Sequence, residues 1–453
     1  MAHDSACRDF HRTDAQRRSL IGAPLSRRSL LKLGLGAPMS VYAAQAMPFA
    51  RVLEAAEAQA ADAPSAPVLV NIFVPGGVDL LDTIVPTGQY GRYADLRRSI
   101  RVGSGDALAL GSTGYGMHPA FGAGLGGGLK GLFDRGQLGL LPGIDYANPD
   151  MSHFNSRHFW ETGITSLRSD KGWLARWVDG NGGGDNPFQA VSMSSGLMPV
   201  LRGAAKPVAA VESPNGAQVW VPGVWGPWQE RMMEHYVALA TRPAASPAQG
   251  AVDAAARMSR QVADQLKPYV HEDDDKGPDP LAPSVAYPEG ADDFAKRLKN
   301  LAGLISLPLG VRVASVEAEG DFDTHDDQKP VLARDLRKLG ATLAAFQADL
   351  EARGVADRVL TFVWTEFGRR PQENASAGTD HGAGGLAMVM GPRARGGLLS
   401  AYPDLRSFDR EDNLKVTVDF RAVYASLVEQ WLGTDAGQIL PDAGRVGRVE
   451  LVA

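Results

Sequence analysis

Short, nearly continuous apolar runs alternate along this chain with stretches whose apolar positions recur at helical spacing. The pattern predicts an α/β fold. Strands are expected at 67–74 (PVLVNIFV), 137–144, 309–316, 359–364 and 386–390, and the first opens on a proline, as strands at sheet margins often do. Helices are expected at 90–99, 228–240, 251–266, 294–307, 330–353 and 419–432. The helix at 330–353 carries Leu332, Leu336, Leu339, Leu343, Phe346 and Leu350 on one stripe, and Gly354 supplies its stop. Such a stripe suits a crossover packed on a sheet of parallel strands. The stretch from Gly172 to Trp228 is rich in Gly, Pro and Trp. It reads as an irregular cap-like insertion, with 172–290 as its outer bounds.

The amino terminus changes the picture of where the chain works. Ser26-Arg27-Arg28-Ser29-Leu30-Leu31-Lys32 reproduces a twin-arginine export motif, and a weakly apolar stretch broken by Gly34, Gly36 and Pro38 follows it. That stretch is shorter than the ~20 apolar residues of a membrane span. Residues 1–46 are therefore expected to be a signal peptide, cleaved there or as late as about residue 63, leaving 64–453 as one domain. The twin-arginine translocase is the expected export partner, and the destination is periplasmic or secreted. Residues 1–46 carry seven Lys/Arg and three Asp, so a net charge of −6 for the whole chain leaves −10 on the remainder. Nucleic acid and anionic membranes are poor partners for so acidic a protein. Cys7, the one cysteine, falls in the segment expected to be removed. A metal site must then use oxygen and imidazole.

Candidate chemistry collects after the strands. Asp79 follows the first, behind Gly76-Gly77. Asp323 and His325 follow the run at 309–316, and Glu366, Arg369, Asp380 and His381 follow 359–364. Ser152 and His153 stand where a helix is expected to begin, with Asp150 or Ser152 as its cap. A parallel sheet brings the carboxyl ends of its strands to one edge, so these groups are expected to converge there. Carboxylates with imidazoles suit one or two divalent ions, zinc, manganese or calcium, and such ions drive ester hydrolysis. Each residue also has a plain structural use, Ser152 as a helix cap and a lone histidine as a packed, hydrogen-bonded side chain. The glycine-rich FGAGLGGGLKGLF at 121–133 lacks the Lys-Ser/Thr step of a phosphate loop, and the acidic 271–288 reads as a solvated loop.

Six motifs in order, SRRSLLK, GGVD, SHFNSRHFWETG, DTHDDQ, TEFGR and GTDHG, resemble the exported proteins of domain-of-unknown-function family 1501. That family is similar to the alkaline phosphatase and sulfatase superfamily. The resemblance implies a doubly wound, mostly parallel α/β sheet with helices on both faces. It implies Asp79 as a metal ligand, Ser152 as nucleophile, Asp321 or Asp323 with His325 as a further ligand set, and His381 as a late ligand. Glu366-Phe367 stands where the superfamily has Asp-His, which leaves Asp380-His381 to make up the set. The expected function is an exported metal-dependent hydrolase of phosphate or sulfate esters, or a degenerate relative, with Arg369 or His153 steadying the anionic transition state. The alternative is a non-catalytic periplasmic or cell-surface protein for binding or assembly, its tryptophans between 173 and 228 lining a glycan groove.

Overall fold

The computed structural model describes residues 41–42, 66–217, 224, 226–271, 278–289 and 292–453. Apart from Val41–Tyr42, the segment read as an export signal lies outside the described residues, as do Trp220 and Trp225. Seven main strands build the sheet: β1 (Val68–Phe73), β2 (Leu138–Asp145), β3 (Ala190–Ser192), β4 (Val208–Ala210), β5 (Val313–Glu317), β6 (Val359–Trp364) and β7 (Gly385–Met390). They lie in the order β4-β3-β5-β1-β6-β7-β2, and two-residue strands flank β4 and β2. Pairing is parallel from β4 through β6, while β7 runs antiparallel to both β6 and β2. The result is a mixed α/β protein with a large, mostly parallel sheet.

Both faces of that sheet are covered, because its strands are apolar on both sides. Val68, Val70 and Ile72 of β1 enter a core shared with the helices α3 (Gly128–Asp134), α8 (Asp293–Ser306) and α9 (Gln328–Ala352). The alternate residues Leu69 and Phe73 enter a second core with α4 (His153–Thr162), α5 (Trp173–Asn181) and α10 (Phe420–Ser426). This is the two-sided burial that near-continuous apolar strands demand. Asn71 breaks the run without penalty, because its amide donates to Ser315 and its oxygen accepts from the Trp364 indole at 3.0 Å. In the second core Trp160 stacks on Trp364 and on Phe420, at centroid distances of 5.1 and 4.5 Å.

The expected strands and the long helix are present with ends shifted by few residues, except that the run at 309–316 forms a strand only from Val313. The segment 172–290 is more than a cap, since β3 and β4 lie within it and extend the main sheet. Its remaining helices, α6 (Pro227–Leu239) and α7 (Pro247–Leu266), pack on each other. Ahead of them in the chain come the short helices α1 (Leu80–Thr83) and α2 (Tyr90–Leu96), which follow β1.

Topology decides what reaches one edge. Trp364 of β6 pairs with Phe73 of β1, and Phe73 pairs with Glu317 of β5, so three strands end side by side. Being antiparallel to β7, β2 also ends there, and β7 begins there. Residues after β1, β2, β5 and β6 and residues before β7 thus meet at the same margin.

Candidate metal centre

Asp323, in the loop leaving β5, is the hub. Its Oδ1 lies 3.0 Å from His325 Nε2, 3.0 Å from His381 Nε2 and 2.6 Å from Arg369 Nη2. Its Oδ2 lies 3.4 Å from His153 Nε2. His325 Nε2 and His381 Nε2 are themselves 3.0 Å apart. His153, Asp323 and His381 each bring a ligand atom into a group whose atoms all lie within 4.8 Å of one another, a set able to hold a metal ion.

The opposite side of each ring faces an acceptor. His153 Nδ1 faces Glu366 Oε1 at 2.6 Å, His325 Nδ1 faces Asp380 Oδ1 at 3.4 Å, and His381 Nδ1 faces the Met151 carbonyl at 2.9 Å. Carboxylates and carbonyls accept, so each Nδ1 is placed to donate, while Asp323 competes for a proton on each Nε2. With the single proton of a neutral ring on Nδ1, each Nε2 lone pair points inward, toward Asp323; without a metal, a proton on Nε2 can instead be donated to Asp323. Three lone pairs and a carboxylate facing one another repel unless a cation or protons lie between them. Imidazoles held from behind by carboxylate or carbonyl partners are the usual arrangement around bound metals.

The triangle of His325 Nε2, His381 Nε2 and Asp323 Oδ1 has sides of 3.0 Å. Tetrahedral ligand atoms at ~2.0–2.1 Å from zinc sit about 3.3 Å apart, so the triangle needs to open by only a few tenths of an ångström. His153 supplies a fourth direction. The charges agree with this. Burial opposes ionisation of Asp323, yet hydrogen bonds from the three imidazoles and the Arg369 charge hold its carboxyl far below the ordinary range. Burial would also depress His153, but Asp323 and Glu366 outweigh it and raise the imidazole to about 9, so without a metal a proton occupies this place. His381 is pushed down by burial and by the charges of Arg369 and His153. Glu366 is held low by His153 and by the Gly76 N–H, against its burial.

The surrounding elements hold these side chains in place. His153 is the first residue of α4, and Ser152 caps that helix. The Ser152 hydroxyl accepts from Asn155 N at 3.5 Å, the long limit for such a bond. Its two neighbours in sequence both engage the centre, Met151 through its carbonyl and His153 through its ring. His381 pairs with Arg369 across a two-residue ladder. The Arg369 guanidinium is fully buried and donates to the carbonyls of Gly76, Gly77, Phe322 and Thr379 as well as to Asp323. It welds three loops together and is closed to a substrate. Phe367 packs its ring 4.7 Å from both His153 and His381.

Compared with the expectations, His153, Asp323, His325 and His381 come together, and of Asp321 and Asp323 it is Asp323 that enters. Glu366 and Asp380 stand behind histidines, facing the Nδ1 atoms of His153 and His325. Arg369 and His153, expected to steady the substrate, both lie against Asp323. Asp79 is engaged elsewhere. Its carboxylate caps α1 through Leu81 N and Asp82 N and forms a buried ion pair with Arg97, so it is not part of the cluster. Trp173 and Trp177 are buried in the second core and line no groove. Sequence reasoning missed Asn374, which donates to the His325 carbonyl and to Asp380, and Gln328, which lies beneath the site; neither carries a local signal.

The fold and the site together define a mixed α/β protein with an imidazole and carboxylate centre, able to hold a metal ion, at the carboxyl edge of its parallel strands. The chain belongs to the DUF1501 family: the family model, described as "Protein of unknown function (DUF1501)", matches residues 144–436, a span that holds every residue of the centre. No match was found among curated proteins or among solved structures.

Proposed function

We propose that this protein is a metal-dependent hydrolase of phosphate or sulfate esters, exported by the twin-arginine route to the periplasm or beyond, on an alkaline phosphatase-like fold. The observation that carries the proposal is the convergence of three Nε2 positions on Asp323 with every Nδ1 turned to an acceptor. His153, Asp323, His325 and His381 hold a single divalent ion, zinc, manganese or calcium, and Arg369 provides the second fixed positive charge. A bound ion supplies Lewis acidity and lowers the pKa of a hydroxyl or water beside it.

The chain's own residues do the rest. Ser152 Oγ attacks the ester phosphorus or sulfur and gives up its proton to solvent, the ester bond to the leaving oxygen breaks, and the alkoxide or phenoxide departs with a proton from solvent. Water then cleaves the bond to Ser152 Oγ, restoring its hydroxyl and releasing phosphate or sulfate. The first N–H groups of α4 stabilise the charge that builds on the transferring oxygens. The test is turnover of aryl phosphate and aryl sulfate by protein loaded with zinc, manganese or calcium. Ser152→Ala should abolish turnover and keep the metal, while His381→Ala should lose both. Loaded wild-type protein inert toward both esters would leave the non-catalytic reading, a binding or assembly protein that uses the same ion to hold an anionic or glycan ligand.

A further inference from the structure

Beneath the centre lies a polar layer with no exposure to solvent, and one side chain joins all of it. Gln328, the first residue of α9, is fully buried. Its Nε2 donates to Asp79 Oδ2 and Asp82 Oδ2, both at 2.8 Å. Its Oε1 accepts from the hydroxyls of Thr324 at 2.9 Å and Thr379 at 2.6 Å. All four positions of the amide are thereby used, the full capacity of a glutamine.

The partners explain why such a layer persists. Thr324 stands between Asp323 and His325, and Thr379 immediately precedes Asp380-His381. The two threonines are also tied directly, Thr379 N donating to the Thr324 carbonyl at 2.9 Å, and Gln328 N donates to the Ala377 carbonyl. On the other side Asp79 and Asp82 share Arg97, whose remaining donors reach the carbonyls of Arg370 and Pro371 in the loop after β6. Gln328 therefore spans from a buried ion-pair base to both loops that carry Asp323, His325, Asp380 and His381. Apolar packing would fill this volume without burying polar groups. What it cannot do is set the spacing of two loops through directed bonds.

We propose that Gln328 is the positioning residue of the metal centre, fixing the Asp323-His325 loop against the Asp380-His381 loop at the separation a bound ion requires. Asp79, Asp82 and Arg97 are its foundation. The inference rests on the metal reading above, and the experiment separates the two.

Zinc affinity is measured by competition with a chromophoric chelator, and the visible spectrum of the cobalt form reports ligand geometry. The wild-type protein is compared with Gln328→Met, which keeps the volume and removes every bond, and with Thr379→Val and Thr379→Ser. The metal-free melting temperature is taken in parallel. Gln328→Met and Thr379→Val should weaken zinc by about 10- to 100-fold and change the cobalt spectrum, as loss of an outer partner does at other metal sites. Thr379→Ser, which retains the hydroxyl, should restore affinity to near wild type. If Gln328→Met fails to fold, the Val and Ser pair at Thr379 decides. Wild-type zinc binding with unchanged affinity and spectrum in folded Gln328→Met or Thr379→Val overturns the positioning role and leaves the centre intact. A wild-type protein that takes up none of zinc, cobalt, manganese and calcium overturns both.

Discussion

His325 Nε2 and His381 Nε2 face each other at 3.0 Å, although 56 positions separate them in sequence and each ring faces an acceptor with its far nitrogen. Two lone pairs at that distance require something positive between them. His325→Ala and His381→Ala should each reduce zinc affinity by at least ~100-fold, since each removes one of the four ligands of the proposed centre and not an outer partner. Metal content after dialysis against a weak chelator checks this. Retention of stoichiometric zinc by either variant would place the ion elsewhere.

Asp79 supplies the opposite expectation. It is buried against Arg97 and away from the histidines, so Asp79→Ala should leave one ion per chain at saturating zinc. Stability should fall by about 2–4 kcal/mol, because a buried guanidinium loses the nearer of its two carboxylate partners and keeps only Asp82 at 3.6 Å. Denaturant unfolding and metal analysis on the same sample decide the matter. A variant of normal stability that has lost its metal would make Asp79 a ligand after all.

Glu161 gives the pH dependence. It is buried in the second core's helix α4, and burial raises its carboxyl from 4.5 to about 7, against the opposing pull of Arg157. The folded state therefore binds this proton more tightly than the unfolded chain. The stability that follows is fully present below about pH 4.5 and is lost as pH rises through about 7. Glu161→Gln should flatten that part of the stability curve, the difference from wild type changing by on the order of 2–3 kcal/mol across the window. Parallel denaturant titrations at pH 5 to 8 measure it, and superimposable slopes would rule the assignment out.

Gly77 is the tightest point of the turn that receives Glu366. It has φ of +70°, and an added Cβ would stand 2.4 Å from the Phe367 ring. Gly77→Ala should cost about 2–4 kcal/mol from backbone strain and overpacking together. Phe367→Leu should recover part of that in the double variant. Strict additivity of the two substitutions, read by thermal unfolding, would mean that the ring is not the obstacle.

Much of the architecture could be read locally. The strand at 359–364 and the helix with its leucine stripe were legible because apolar periodicity is a property of neighbouring residues. The placing of acids and histidines just beyond strands was legible too, and it led to Asp323, His325 and His381. The roles within the set were not. Glu366 and Asp380 look like ligands in sequence and lie against the Nδ1 side of two imidazoles, a placement that only loop packing sets. Asp79 follows the first strand as a ligand would, yet Arg97, 18 residues on, claims it.

The sequence by itself therefore determined the α/β elements, the two-sided burial of the strands and the oxygen and imidazole character of any metal site, since each depends on composition and local pattern. Tertiary structure alone decided which groups share one point in space. The antiparallel entry of β7 brings His381 to the edge where the parallel strands end, and the buried amide of Gln328 ties its loop to that of Asp323. Strand direction and long-range hydrogen bonds are relations between distant segments, and no local pattern encodes them.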